Sequence, residues 1–376
     1  MVTCDVVIAG GGPAGSACAW RLRQAGLDVV VIDGANFPRD KVCAGWITPQ
    51  VIDDLRLDVD DYRSGRTFQP ITGFRVGLIG GGGTVETTYS RPVSFGIRRC
   101  EFDHYLLQRS QARLQLGVRV ANIRRHDGRW VVNESVEAPM LVGAGGHFCP
   151  VARILNGAPD RAALVAAQEV EFAVGDGDAS SYPVHPEQPE LYFSPDLGGY
   201  GWCFRKQGHL NVGFGRLDAR GLPSATAEFV EFLKARRRIP KKAAWRWRGH
   251  AYLIATPTGR RIVDGGVILI GDAAGLAYPQ SGEGIRPAIE SGLMAASAIL
   301  SAAGRYTRDQ LDPYERHLRK RFGVSRLARL LSHVVPDNVA VGLAPRLLEA
   351  PWFVRRVLLH RWFLHAHEPG IVLAPA

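Results

Sequence analysis

Residues 5–33 read DVVIAGGGPAGSACAWRLRQAGLDVVVID. Asp5 to Ala9 is a short, largely β-branched apolar run, the pattern of a strand buried on both faces of a parallel sheet. It breaks at Gly10-Gly11-Gly12-Pro13-Ala14-Gly15, a G-x-G-x-x-G spacing. A helix is expected from Ser16 to Gln24, stopping at Gly26. A second strand then runs from Leu27 to Ile32 and ends on Asp33. Gly10 permits the tight turn, Gly12 lets the backbone approach a pyrophosphate, and Gly15 allows close helix–strand packing. Pro13 and Ala14 complete the cofactor-binding turn, and the free N–H groups and positive dipole end of the helix attract phosphate. Asp33 is placed to accept hydrogen bonds from an adenosine ribose. Strand, turn, helix, strand and terminal acid occur in order, and that context turns a weak motif into a dinucleotide-binding unit.

The chain has 376 residues, 46% hydrophobic and 22% charged, which suits a large globular core and excludes a disordered chain. No apolar run reaches the length of a bilayer span and no leader precedes the first strand. The expectation is therefore a cytoplasmic protein, with a position peripheral to the membrane as the variant. Six cysteines, at positions 4, 18, 43, 100, 149 and 203, form no C-x-x-C pair, so neither a metal site nor a disulfide framework is expected. Net charge is +10, and residues 301–376 hold 12 Arg/Lys against 6 Asp/Glu. That tail suits an anionic partner such as a phospholipid surface, a pyrophosphate or an acidic protein, although a solvated basic face gives the same numbers. No nucleic-acid module is present, so nucleic acid is not expected as a partner.

Further along, Gly34 to Trp46 reads as a loop, and Pro49 opens a helix to about Leu55. Residues 71–97 alternate as strands around Gly80–Gly83, four glycines that read as a hairpin tip. A helix is expected from Arg98 to Leu116, then strands at 118–124 and 130–133, and an apolar run ending in Val142-Gly143-Ala144-Gly145-Gly146. Sheet is expected at 164–172, 191–216 and 245–254, with a helix at 224–238 between the last two. The second informative block is Val267-Ile268-Leu269-Ile270-Gly271-Asp272-Ala273-Ala274-Gly275, continuing to Pro279-Gln280-Ser281-Gly282-Glu283-Gly284-Ile285. A buried strand closing on Gly-Asp suits a flavin, because Asp272 can accept a ribityl hydroxyl. Gly282 to Ile285, at the start of a helix running to about Ala303, would aim N–H groups at a ring carbonyl. Residues 305–376 read as helical, with Pro breaks at 336, 345, 351 and 369.

Taken together, these motifs resemble the p-hydroxybenzoate-hydroxylase-type flavoprotein fold, and within it the geranylgeranyl reductase family. Lys41-Val42-Cys43-Ala44-Gly45 is similar to that family's K-x-C-G-G loop beside the flavin. Tyr200-Gly201-Trp202-Cys203-Phe204-Arg205-Lys206 is similar to its Y-x-W-x-F-P-K strand. Arg98 or Arg99 with Phe102-Asp103 is similar to its R-x-x-F-D helix start, where an Arg helps to hold FAD. The resemblance spans residue 4 to about 300. It implies an α/β protein: a Rossmann-type FAD-binding lobe from residues 1–70, 96–160 and 256–303, with a mostly antiparallel β-sheet substrate lobe from 71–95 and 161–255 inserted. A helical region, 304–376, follows. The implied cofactor is noncovalent FAD. No second dinucleotide fingerprint is present, so NAD(P)H or another reduced carrier would visit transiently as electron donor. Tyr200, Trp202, Phe204 and Pro279 are implied at an apolar substrate pocket, and Cys43 as a proton donor beside the flavin or a small packed residue. Tyr200 and Trp202 share one strand face. His147 is a candidate hydrogen-bonding residue.

Three departures keep alternatives open. Ala44 replaces a Gly, Arg205 replaces the Pro, and Gly143 to Arg153 lacks the Asp-Gly pair expected after the third strand. Reduction of C=C bonds in a prenyl-type substrate is the first expectation. The second is a monooxygenase acting on an aromatic metabolite or a side chain of a partner protein. Halogenation is weaker, since Trp245-Arg246-Trp247 supplies W-x-W but Arg248-Gly249 follows. A redox-silent flavin-bearing binding protein is the non-enzymatic reading.

Overall fold

The computed structural model describes residues 1–157, 164–254, 260–323 and 337–371. The β-branched runs pair as the sequence predicts. Val6–Ala9 lies parallel to Val29–Asp33 on one side and to Met140–Gly143 on the other, in a six-stranded sheet. Val267–Leu269 extends it beyond Met140–Gly143, and the short Val263–Asp264 strand closes that edge antiparallel. Helix Pro13–Gln24 crosses between the first two strands and packs on helix Ile285–Ser301. The two helices touch backbone to backbone: a Cβ on Gly292 would lie 2.3 Å from the Ala14 carbonyl oxygen. Pro at the first helical position starts Pro13–Gln24 three residues earlier than expected, because its missing N–H is no loss there.

The helix expected to reach Leu116 ends at Arg109. Gln111 then adopts φ +53°, and Arg113–Leu116 becomes the sixth strand, parallel to Val29–Asp33. Pairing with an exposed sheet edge overrides helix propensity in this short segment. The strand expected at 118–124 forms later, as Ile123–His126, in a four-stranded sheet with Arg129–Val132, Val136–Ala138 and Val2–Thr3.

A seven-stranded sheet draws its strands from two separated stretches. Gly73–Leu78 and Thr84–Thr88 form a hairpin whose connection carries Gly80–Gly83, and Gly73–Leu78 pairs parallel with Glu190–Phe193. The order continues antiparallel through Gly199–Lys206, His209–Arg216, Leu164–Ala173 and Arg248–Leu253. Period-two alternation divides its faces. Cys203, Val212 and Phe214 pack under helix Leu222–Ala235, and Gly201 admits Phe229, whose ring lies 2.6 Å from where a Cβ would be. Trp202 and Phe204 face the other way, into a cluster with Trp46 and Phe74.

The C-terminal region folds over that second face. Pro351–Phe353 leads into a π-helix, Val354–Phe363, whose Val354, Leu358, Leu359 and Phe363 are buried against the sheet. The apolar residues of this segment therefore pack on the protein, leaving Trp352, Arg355, Arg356 and Arg361 exposed. Among the described residues no helix is long and apolar enough to cross a membrane. The Pro336 break lies outside the described residues.

Candidate active site

A cavity of about 680 Å³ opens where the two large sheets meet. On one side are the glycine turn, Asp33 and Gly34. Gly10 sits at φ +118° with Ala144 O only 2.3 Å from where a Cβ would be, and a Cβ on Gly15 would lie 1.9 Å from Gly10 O. These two glycines are required by the chain itself. Gly12 differs, since the nearest atom to its missing Cβ is Arg39 Nη2 at 3.5 Å, so it leaves open space on the cleft wall. Helix Pro13–Gln24 has no side-chain cap, and its first N–H groups are free for an anion. Asp33 is already braced: its carboxylate accepts from Gly11 N at 2.7 Å and Ala35 N at 2.8 Å, which leaves acceptor sites toward the cleft.

Opposite the glycine turn stand Asp272 and the start of helix Ile285–Ser301. Burial raises the Asp272 carboxyl, against the lowering pull of the Lys41 and Arg99 cations. Gly282, at φ +66°, is pressed against Tyr252, whose hydroxyl lies 2.1 Å from a hypothetical Cβ. Glu283 Oε1 accepts the Arg286 N–H at 2.7 Å and so caps the helix from outside its first turn. Its Oε2 and His147 Nδ1 are buried atoms of cleft-lining residues without a protein partner among the described residues.

Cations outnumber anions along the walls. Arg99 makes a two-point bond to Asp103 (2.8 and 2.7 Å), which Arg39 joins at 3.3 Å. Lys41 packs on the His250 ring, with Nζ 3.3 Å from Nδ1 and closer still to Nε2. Burial lowers Lys41 to about 8, and burial followed by the Lys41 charge lowers His250 to about 3, so the imidazole is neutral and accepts.

Another part of the lining is apolar and aromatic: Val42, Trp46, Tyr200, Trp202, Tyr252 and Ala277. Tyr200 Oη donates to Ser281 O at 2.5 Å. Cys43 lies among them, its sulfur accepting from Gly45 N at 3.4 Å and reached by the Arg99 guanidinium.

Of the residues singled out from sequence, Gly10, Gly12, Pro13, Ala14, Asp33, Lys41, Cys43, Arg99, Tyr200, Trp202, Asp272, Gly282, Gly284, Ile285 and His147 converge on this cleft. Four do not. Gly15 is packed beneath it. Arg98 turns away to pair with Glu101 and Glu171, each at 3.0 Å, so Arg99 is the Arg of the R-x-x-F-D motif that faces the cleft. Phe204 lies one step further along the sheet in the core, edge-on to Trp46, and Pro279 is exposed. The Trp245-Arg246-Trp247 stretch is also elsewhere, its two indoles packed on each other and one of them on Phe172. Sequence reading missed Arg39, Trp46, His250 and Tyr252. It also missed a buried layer beneath Cys43: Glu169, Glu171, Lys206 and Asn211. Of these only Lys206 carried a signal, as the last letter of the Y-x-W-x-F-P-K match.

The residues fit FAD: an extended cleft, an open glycine at an uncapped helix N-terminus, a cationic middle for pyrophosphate, and orphaned polar atoms on the wall. Comparison with known proteins agrees. Residues 5–72 match the family described as FAD dependent oxidoreductase. The chain is 31% identical over 326 residues to menaquinone reductase of Mycobacterium tuberculosis, covering 79% of this chain and 76% of that protein. It is also 31% identical over 334 residues to the chloroplastic geranylgeranyl diphosphate reductase of Oryza sativa subsp. japonica, covering 81% and 68%. Among solved structures, a geranylgeranyl bacteriochlorophyll reductase-like protein of Thermoplasma acidophilum superposes with a TM-score of 0.76 at 21% identity, over 93% of this chain and 91% of that one. A halogenase in complex with FAD reaches 0.69 at 18% identity, over 96% and 85%, which shows a shared fold. This chain, an FAD-dependent oxidoreductase, belongs to the geranylgeranyl reductase family.

Proposed function

We propose that the protein reduces carbon–carbon double bonds of a prenyl-type apolar substrate. The observation that carries this reading is the aromatic part of the cleft, where Trp46, Tyr200, Trp202 and Tyr252 surround a single thiol, Cys43. Such a wall suits a hydrocarbon chain, offering area and few polar groups to desolvate. The relatives named above act on a menaquinone and a geranylgeranyl diphosphate, and a third, 28% identical, is named a digeranylgeranylglycerophospholipid reductase.

In this reading Gly10, Gly12, Pro13, Ala14 and Asp33 hold the adenosine and pyrophosphate end of FAD, with Lys41, Arg99 and Asp272 along its middle. Gly282, Gly284 and Ile285 hold its ring. Reduced FAD, when bound, supplies a hydride. The protein's own contribution is to bind the double bond against the aromatic wall, exclude water, and deliver a proton to the second carbon from the Cys43 thiol. Arg99, in reach of that sulfur, stabilises the thiolate left behind. NAD(P)H or another reduced carrier restores the flavin from solution. Residues 1–70, 96–160 and 256–303 serve the flavin, and residues 71–95 and 161–255 the substrate. The exposed Trp352, Arg355, Arg356 and Arg361 lie on an anionic membrane surface that supplies the lipid; unchanged sedimentation with and without anionic vesicles would remove that part.

The test is anaerobic incubation of the reduced holoenzyme with geranylgeranyl diphosphate, menaquinone and a digeranylgeranyl phospholipid, followed by mass spectrometry. Gain of two hydrogens per double bond is expected for at least one of them, with a loss of a hundredfold or so in Cys43→Ser. No gain in any, together with oxygen-dependent hydroxylation of an aromatic probe, would replace the reductase by the monooxygenase.

A further inference from the structure

We propose that Lys206, Asn211 and Glu169, none of which lines the cleft, are positioning residues that fix the Cys43 loop from beneath. The inference rests on reading Cys43 as the proton donor, and concerns what aims it.

The loop's main chain is held by side chains of the seven-stranded sheet. Cys43 O accepts from Asn211 Nδ2 at 3.4 Å, and the Cys43 main chain faces the Glu169 carboxylate and helps to lower its pKa. Ala44 O accepts from Lys206 Nζ at 3.0 Å, and the same ammonium donates to Ile97 O at 3.0 Å. Gly45 closes over it at φ +70°, where a Cβ would stand 2.8 Å from Nζ, so no other residue fits. Its own carbonyl accepts from Ile97 N at 2.8 Å. Three consecutive loop residues are thus tied down on the side away from the cleft. The thiol is left free to face Arg99.

The anchors are themselves interlocked. Lys206 pairs with Glu171 at 2.5 Å, and Glu171 with Arg98. Asn211 Nδ2 also donates to Glu169 and Glu171, each at 3.2 Å, while its Oδ1 accepts from Trp202 Nε1 at 2.6 Å. One buried network therefore connects the Trp202 wall of the cleft to the Cys43 loop. Lys206 and Asn211 are fully buried. A fully buried lysine is a poor way to stabilise a sheet, since apolar residues of similar volume do so at least as well. The network's donors end on the loop's carbonyls, and that destination gives it a role in geometry.

The same sheet provides a control. Arg75 pairs with buried Glu190 at 3.0 Å, and Glu190 keeps a second partner in Arg238 at 3.1 Å, just as Glu171 would keep Arg98. Arg75→Met therefore removes a buried-carboxylate ion pair whose partners, Glu190 and Glu86, are not bonded to the Cys43 loop. The measurement is the rate at which iodoacetamide labels Cys43 in FAD-loaded protein, followed by mass spectrometry in a Cys100→Ser background, the other four cysteines being buried. Lys206→Met and Asn211→Ala should each change the Cys43 rate about tenfold, as expected when one charge-assisted or buried hydrogen bond no longer holds a segment closed, with flavin content retained. Arg75→Met should leave it within twofold. The proposal is overturned if the Lys206 and Asn211 variants stay within twofold, or if Arg75→Met changes the rate as much as they do. Should Lys206→Met fail to fold, Asn211→Ala decides. Full turnover in Cys43→Ser would instead remove the proton-donor reading while leaving the labelling result intact.

Discussion

The two walls of the cleft are built by different means. Around Gly10 to Gly15 the shape comes from backbone: at two glycines an added Cβ would stand 2.3 and 1.9 Å from main-chain oxygens, and a third leaves room for a ligand. Around Cys43 the shape comes from buried side chains 120 to 170 positions away in sequence, Lys206 and Asn211 reaching loop carbonyls and Glu169 facing the loop's main chain. The first wall is written in one contiguous string, whereas the second is assembled by the sheet.

Substitutions can break that contrast. Gly15→Ala should be the most damaging, by on the order of 3 kcal/mol or more, because the new methyl meets a backbone oxygen that cannot move aside; ordinary recovery of folded, flavin-bearing protein would contradict the backbone account. Glu169→Gln probes the side-chain wall. Burial raises the Glu169 carboxyl to about 7, against the lowering effect of Lys206 and Asn211. The folded state then holds a proton that the unfolded state releases, so wild-type stability falls as pH rises from the unfolded value toward 7 and is flat above it. Denaturant midpoints at pH 5 and 8 should show this contribution, up to about 3 kcal/mol, as a smaller decline in Glu169→Gln than in the wild type, the other buried carboxyls declining equally in both. Equal declines in both proteins would mean that Glu169 does not titrate there.

Gly12→Ala separates ligand from scaffold within the first wall. Its Cβ has space in the protein, so the melting temperature of the flavin-free form should be unchanged while FAD affinity drops at least about tenfold, roughly 1.4 kcal/mol. Loss of both together would place Gly12 with Gly10 and Gly15. The smallest effect is expected for Tyr200→Phe, which removes the 2.5 Å bond to Ser281 O and should cost about 1 kcal/mol in thermal unfolding, with flavin binding intact.

The same contrast explains what was legible in the sequence. Glycines at fixed spacing between a strand and a helix leave a contiguous mark, even where, as at Gly10, the crowding atom is the distant Ala144 O, so the strand–turn–helix unit and the Gly-Asp strand end were readable. Asp33 and Asp272 followed from them. The family motifs correctly flagged Lys41, Cys43, Tyr200 and Trp202 for the cleft. Sequence reading kept both Arg98 and Arg99, although R-x-x-F-D counted back from Phe102 falls on Arg99, the one paired with Asp103 at the cleft, while Arg98 pairs with Glu171. Phe204 was misplaced for a different reason: alternation gives the face of a strand but not how far along it the cavity extends. His250 and Tyr252 sit in a strand whose sequence, Arg248 to Leu253, carries no motif, and register alone brings them to Lys41 and Gly282. In the tail, apolar residues at near-helical spacing specified a buried face without naming what would cover it.

The far end of the described chain bears on how the protein can be handled and varied. Arg286, in the first turn of the helix that opens at Gly284, is fully buried, bonded to Glu290 at 2.7 Å and donating to the carbonyls of His365, Glu368 and Pro369. Arg321 grips Glu290 as well, through two contacts of 2.8 Å, and His365 stacks on Tyr278 at 3.5 Å. Residues 365–369 therefore act as a latch on the very helix that lines the cleft. Trimming them to improve expression or crystallisation would uncover the buried Arg286–Glu290 pair, whose arginine stands two residues from Gly284. Among relatives, exchanging this short segment offers a route to retune the cleft while every motif around the glycine turn stays as it is.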